Sequence, residues 1–353
     1  DTLKYSQELV LDNAQSTENN KSSEELIGLI EERVLAVSLE NQSIEDAVEL
    51  GKDIDAYVEL KSTSEVEVLG LPSGFDDLDR ALNGFRPGTL TVVAARPKRG
   101  KSMLLQNWAA NMVYNLKKPV LYIDTEMIFD EVRSRVLSMV SQVDEREIIN
   151  GLFARDPMKL NNINKAKEIM RYGKFLHKYF PSFSAERLSS IARKYAAKEK
   201  IEALFFDYIK MPEGSSLHDA KEYQHIGFLA TALKNLAGEL KIPVITAIQI
   251  NRSGVDKDVI NTGMIADSDR VVRYANTILG LTRKDQEDIE NDGIMRGNGR
   301  LQILDTRAGT HCDWDGIDLN IIHKVITVRP TGTTFKLSEL MPAPRARRSE
   351  ERS

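Results

Sequence analysis

Six residues of low polarity, Leu90-Thr91-Val92-Val93-Ala94-Ala95, run straight into Arg96-Pro97-Lys98-Arg99-Gly100-Lys101-Ser102, and from Ser102 to Leu116 no side chain is charged. A short apolar run with β-branched residues, bounded by a glycine turn, reads as a buried strand, and the longer stretch after it reads as a helix. Strand, basic glycine loop and helix in that order form the setting a phosphate-binding loop requires. Successive backbone N–H groups and the helix N-terminus can wrap an anionic phosphate there. The expected nucleotide contacts are Arg96, Pro97, Lys98, Arg99, Gly100, Lys101 and Ser102. Lys101 would neutralise β- and γ-phosphate oxygens, and the Ser102 hydroxyl would ligate Mg²⁺. One position departs from the usual motif: Ala95 stands where the first glycine is expected.

The remaining pattern alternates between strands and helices. Pro119–Asp124 reads as a second buried strand with the acids Asp124 and Glu126 at its end, Lys174–Tyr179 as a short strand, Ala203–Asp207 as a third and Pro243–Gln249 as a fourth. Helices are expected over Ile128–Val143, Ala185–Lys200 and Asp219–Leu240. Asn276–Leu281, Arg300–Thr306, Ile317–Ile322 and Val325–Val328 read as later strands without intervening helices. The expected fold is therefore α/β: a mainly parallel sheet with helices on both faces and an antiparallel extension at one edge. Asp207, Glu126 and Gln249 all fall at carboxyl ends of strands, where open α/β sheets bind ligands. Asp207 can hold Mg²⁺, Glu126 can orient or deprotonate an attacking water, and Gln249 can sense a γ-phosphate.

Composition excludes other classes. The chain has 353 residues, 41% hydrophobic and 29% charged, as in soluble globular proteins, with a net charge of −5. A polyanion would therefore be held by local positive features and not by a basic shell. The uncharged Ser102–Leu116 stretch is shorter than the roughly 18–20 apolar residues that span a bilayer, so no membrane association is expected. Cys312 is the single cysteine, which permits no internal disulfide and suits a reducing, intracellular setting. The five histidines show no zinc-ligand spacing.

The ends read differently from the middle. Residues 1–21 are polar and expected to be mobile. Residues 22–63 carry two helical stretches, Ser22–Val37 with Ile27, Ile30, Val34 and Val37 in register, and about Ile44–Lys61. Such short amphipathic helices need a surface to cover them, on the main domain or on a second copy. The main domain is expected over 64–340, and 341–353 is a basic tail with the composition of disorder.

Several stretches together resemble the ATPase domain of DnaB-type replicative helicases. They are Ala94-Ala95-Arg96-Pro97 with Gly100-Lys101-Ser102; Thr125-Glu126-Met127 with Arg135 nine residues after the glutamate; Val143-Asp144 and Gly151-Leu152; Phe206-Asp207-Tyr208; and Ile248-Gln249-Ile250-Asn251-Arg252. An alanine in the position of Ala95 is usual in that family. The resemblance implies a RecA-like core, a homo-hexameric ring with ATP and Mg²⁺ at subunit boundaries, travel along single-stranded DNA, and a primase and a helicase loader as partners in a cytoplasmic replisome. It implies Lys101 and Ser102 as nucleotide ligands, Asp207 as metal ligand, Glu126 as catalytic base and Gln249 as sensor, and it matches the 22–37 region to a linker helix that docks on the adjacent subunit.

The same resemblance places a late Lys-x-Arg pair against the neighbour's γ-phosphate. Arg307 fits the arginine, but Asp305 occupies the place of the lysine, and Arg300 and Arg296 are the candidates for the second cation. DNA contacts are expected from the loop after the Gln249 strand, with Arg252, Lys257 and Arg270, the stretch Asn261–Arg270 above all. Two competing readings remain at this point: a RecA-like recombination ATPase, and a ring scaffold with a vestigial ATP site that binds a primase or loader.

Overall fold

The computed structural model describes residues 49–63, 69–181, 184–209, 219–250, 269–307 and 316–331. Residues 49–63 belong to one compact unit and those from 69 onward to another. In the first unit α1 spans Ile54–Thr63. Of the expected helix over about Ile44–Lys61, residues 44–48 lie outside the described residues, and a turn in which Asp53 takes a positive φ of 57° stands directly before α1. The expected Ser22–Val37 helix and the 341–353 tail lie outside the described residues.

The second unit opens with α2 (Asp76–Leu82), preceded by a turn at Pro72-Ser73-Gly74. The buried Asp79 carboxylate holds that turn by accepting the amide protons of Ser73 (2.6 Å) and Gly74 (3.1 Å). A strand–helix alternation follows: β1 (Leu90–Ala95), α3 (Lys101–Ala110), β2 (Val120–Asp124), α4 (Phe129–Ser141), α5 (Glu145–Ile149), α6 (Pro157–Tyr172), β3 (Phe175–Tyr179), α7 (Ala185–Glu199), β4 (Ala203–Ile209), α8 (Asp219–Leu240), β5 (Val244–Gln249), α9 (Asp269–Tyr274) and β6 (Thr277–Arg283). Then come α10 (Gln286–Asp292), β7 (Gly299–Thr306), β8 (Ile317–Ile322) and β9 (Thr327–Pro330).

All nine strands form one sheet in the order β3-β2-β4-β5-β1-β6-β7-β8-β9. The six strands β3 to β6 in that order are parallel, and β7, β8 and β9 extend the β6 edge antiparallel. Strand alternation divides the core into two layers. Val93, Tyr122, Phe205 and Ala247 face Trp108, Val136 and Ala166 of α3, α4 and α6. Val92, Ile123, Phe206 and Ile248 face Leu188, Leu233 and Val271 of α7, α8 and α9. The expected α/β fold, with covered faces and an antiparallel edge, is the one observed.

Three local expectations needed correction. Helix α3 ends at Ala110 and continues as a π-helical turn over Asn111–Asn115, where Asn115 donates to the Asn111 side-chain oxygen at 2.7 Å. The last strand starts at Thr327 and not Val325, because His323–Val325 forms a 3₁₀ turn and Ile326 has a φ of 50°. A helix, α10, does intervene between β6 and β7: it buries no side chain, so it leaves no apolar period, and it is held by a capping box between Asp285 and Asp288. No helix among the described residues is long and apolar enough to cross a membrane.

Candidate nucleotide site

The site is built where parallel strands end. Ala95 of β1 is in register with Gln249 of β5, and Asp124 of β2 with Asp207 of β4. The loop after β1, the Glu126 turn after β2, Asp207 and Gln249 therefore leave one edge of the sheet side by side. Gly100 caps α3 with a φ of 98°, a conformation that costs a residue with a Cβ. Lys98 also has a positive φ, 61°. These two turns swing the chain so that α3 begins at Lys101 with its first N–H groups free of partners within the helix. Pro97 and Lys98 are exposed, and Arg96, Arg99, Gly100, Lys101 and Ser102 are half-buried.

Asp207 is 1% exposed. Its Oδ2 accepts the Tyr122 hydroxyl proton at 2.7 Å, and its Oδ1 is buried without a hydrogen bond of ordinary geometry. Burial raises its pKa; Tyr122, Lys101 and Ser102 act in the opposite direction. The amide and hydroxyl of Thr125 donate to the Asp207 main-chain oxygen at 2.9 and 3.2 Å, which ties the Glu126 turn to β4. Asp124 is wholly buried and accepts the amide protons of Glu126 and Met127, each at 2.8 Å. Burial first and the Asp207 charge second raise Asp124 to about 7, against the pull of those two amides.

Glu126 is exposed and accepts the Tyr208 hydroxyl proton at 3.0 Å. The β4–β5 register shifts between Phe206 and Ile209. A bulge of this kind puts two successive side chains on one face, and Tyr208 accordingly joins the layer under α3 while Phe206 and Ile209 join the other. Its ring carries the Lys101 ammonium 3.2 Å from the centroid. Tyr208 thus touches both the loop lysine and the glutamate. The sequence offered only its place after Asp207 as a signal. Gln249 is exposed at the end of β5, and no contact ties it to the loop among the described residues.

Arg307 is not at this edge. It follows β7, whose last residue, Thr306, pairs with Thr277 at the start of β6. Its amide donates to the Asn276 carbonyl at 2.8 Å; Asn276 in turn donates to Leu90, the first residue of β1. Arg307 is therefore one strand length from the loop that follows Ala95, about 16–20 Å. Its guanidinium donates to the Arg273 carbonyl at the end of α9. Lys234 of α8 sits at the same edge, donating to the Gly88 carbonyl at 2.6 Å. Its pKa is lowered by burial and by the Arg307 charge. Arg300 is 3.6 Å from Asp318, and Arg296 lends its carbonyl to Lys284 at 2.9 Å, so neither joins Arg307. The neighbour that sequence reasoning missed is Lys234, which no local pattern connects to Arg307. Arg270 lies in α9, and Arg252 and Lys257 lie outside the described residues.

Known proteins resemble this chain in sequence and in fold. The family model described as DnaB-like helicase C terminal domain matches residues 70–318. A probable replicative DNA helicase of Trieres chinensis is 29% identical over 281 residues, 77% of this chain and 60% of the relative. The replicative DNA helicase DnaB of Buchnera aphidicola subsp. Baizongia pistaciae is 27% identical over 304 residues, 82% of this chain and 63% of its own. The chain thus spans about 60% of the length of these relatives. Among solved structures, one described as an ATPase domain superposes with a TM-score of 0.69 at 18% identity, over 80% of this chain and 99% of that one. A DnaB-like replicative helicase, studied with its primase interactions, superposes at 0.65 and 19% identity, over 93% and 77%. The fold is the RecA-like ATPase fold, and, with a family match that extends from before β1 into β8, the chain belongs to the DnaB-like helicase C-terminal domain family.

Proposed function

We propose that this chain contains the motor of a replicative DNA helicase, an ATP hydrolase that assembles as a homo-hexameric ring, moves along single-stranded DNA and unwinds duplex at the fork. The observation that carries the reading is the convergence of the 96–102 loop, Asp207 and the Glu126 turn on one sheet edge. The loop amides and Lys101 bind the β- and γ-phosphates. The residues fit a divalent cation: the Ser102 hydroxyl stands near Asp207, whose buried Oδ1 has no hydrogen bond of ordinary geometry. Mg²⁺ bound there supplies charge that offsets the phosphate oxygens. Glu126, held by Tyr208, orients and deprotonates the attacking water. Gln249 senses the γ-phosphate and begins the segment toward DNA, with Arg252, Lys257 and Arg270 as its basic contacts.

Arg307 stands a strand length from its own loop, so it serves the site of an adjacent subunit, with Lys234 as the second cation beside it. A vestigial scaffold site would not need Lys101, Glu126 and Asp207 gathered in this way. Residues 64–340 form the motor, 22–63 dock on the neighbouring subunit, and a primase and a loader bind the ring in a cytoplasmic replisome. The test is the ATP hydrolysis rate with and without single-stranded DNA, together with mass in solution with nucleotide. Strong stimulation and a six-subunit mass are expected; the absence of both sinks the reading.

A further inference from the structure

The edge that holds Asp207 carries a second carboxylate, one that the nucleotide reading leaves without a task. Asp124 closes β2 and is paired with Asp207 across the parallel ladder. Adjacent strands lie about 4.8 Å apart. Strand alternation puts Asp124 on the same face as Tyr122 and Asp207 on the same face as Phe205, which is the face covered by α3. The two side chains are therefore neighbours under the helix that starts with Lys101 and Ser102. Asp124 is 0% exposed and Asp207 1%.

Each carboxylate has one oxygen tied down and one to spare. Asp124 Oδ1 accepts the Glu126 and Met127 amide protons, and Asp207 Oδ2 accepts the Tyr122 hydroxyl proton. Asp124 Oδ2 and Asp207 Oδ1 are buried, and neither has a hydrogen bond of ordinary geometry. Two adjacent carboxylates out of water are unfavourable, through lost hydration and mutual repulsion. A divalent cation offsets both, and carboxylate oxygens are the donors a hard cation such as Mg²⁺ takes. Among the described residues no group of three or more His, Cys, Asp or Glu could hold a metal ion. A two-carboxylate site must then be completed by a hydroxyl, by phosphate and by water, which is how Mg²⁺ is held beside nucleotides.

We propose that Asp124 and Asp207 together form the seat of the divalent cation that accompanies the nucleotide, with Asp124 Oδ2 facing the cation, directly or through water, while its Oδ1 fixes the Glu126 turn. This rests on the nucleotide reading above. Asp124 would join the catalytic carboxylates of the site, and the geometry of the glutamate turn would be coupled to metal occupancy through a single side chain.

The bland competitor is that Asp124 only caps the turn. Asp124→Asn separates the two, because an amide oxygen still accepts from Glu126 and Met127 while the charge is gone. Asp124→Ser, whose hydroxyl also caps such turns, is the second variant if the first misfolds. The full chain is titrated with Mg²⁺ at fixed concentrations of a fluorescent, non-hydrolysable ATP analogue, and separately with Mn²⁺ alone, followed by electron paramagnetic resonance. The expected result is a Mg²⁺ midpoint raised about tenfold or more in the variant, in the range by which metal-site partners alter affinity, with a parallel loss of Mn²⁺ affinity. A midpoint within about twofold of wild type, or a lower one, overturns the proposal and leaves Asp124 as a cap. If the wild-type chain fails to bind the analogue at any Mg²⁺ concentration, the nucleotide reading fails. The Mn²⁺ arm then decides: binding that the variant weakens sustains the carboxylate seat, and equal or absent binding sinks it.

Discussion

The ammonium of Lys101 rests over the ring of Tyr208, 3.2 Å from the centroid. The same tyrosine donates its hydroxyl proton to Glu126 at 3.0 Å. One side chain therefore spaces the phosphate-binding cation from the candidate base. Burial and the Glu126 charge both raise the Tyr208 pKa, which keeps the hydroxyl protonated and donating.

Tyr208→Phe keeps the ring under Lys101 and removes the tether on Glu126. A hydrogen bond to a charged group contributes about 1.5–3 kcal/mol, so ATP turnover should fall on the order of tenfold while affinity for a non-hydrolysable analogue stays within about twofold. Turnover equal to wild type would show that Glu126 needs no such tether.

Lys101→Ala should abolish both nucleotide binding and hydrolysis. Glu126→Gln should bind nucleotide normally and lose turnover by about 10²–10⁴-fold, the usual span for a general base. Steady-state hydrolysis with analogue binding on the same preparations checks both, and near-normal turnover in either removes its assigned role.

Arg307→Ala should lower hydrolysis by about 10³-fold or more, as loss of an arginine finger does, with Lys234→Ala less severe. Wild-type rings doped with Arg307→Ala subunits should lose activity out of proportion to the dopant. A linear decline would mean that the arginine acts within its own subunit or not at all.

His177 stacks at 6.4 Å on Tyr122 and lies 6.0 Å from Phe129. Burial lowers its pKa to about 4. Between roughly pH 6.5, the unfolded value, and about 4 the unfolded chain binds a proton that the folded chain does not. Stability from this group is complete above pH 6.5 and declines as pH falls through that window. Asp124, raised to about 7, works in the other direction, so the diagnostic is a difference. His177→Phe should lose less stability than wild type between pH 7 and 4.5 in denaturant titrations. Parallel curves would contradict the assignment.

Asn107 fastens α3 to the antiparallel edge: its amide donates to the Met103 and Ile326 carbonyls at 2.7 and 3.0 Å and its oxygen accepts from the Val328 amide at 3.2 Å. Asn107→Ala leaves the Ile326 carbonyl just before β9 and the Val328 amide on it without this partner, at about 1–3 kcal/mol each. A loss of about 2–4 kcal/mol in chemical denaturation is expected, and a loss below 1 kcal/mol would mean that β9 is held by other contacts.

Much of the fold was legible because its signals are local. Leu90–Ala95 and Val120–Asp124 are apolar runs bounded by turn residues, Ala203–Asp207 falls inside a strand that runs two residues further to Ile209, and the Asp219–Leu240 helix stands where its pattern ends. The loop was legible because only Gly100 suits a φ of 98° before a helix. What escaped had no periodic signal. Helix α10 buries nothing, and α6 buries only Ile163 and Ala166, so neither shows a clear apolar stripe. Tyr208 escaped for another reason: strict alternation puts it on the face opposite Asp207, and only the register shift against β5 brings both to α3.

From its residues alone, then, the chain fixed most of its strands, its phosphate loop and the places of Asp207, Glu126 and Gln249 near the carboxyl ends of strands, since backbone preference and side-chain alternation depend on near neighbours in the chain. Tertiary structure decided which strands pair. That pairing set Asp124 beside Asp207, carried Arg307 to the edge away from its own loop, and brought Lys234 to it from a distant helix. These are contacts between segments far apart in sequence, which exist only once the whole sheet has closed around its two hydrophobic layers.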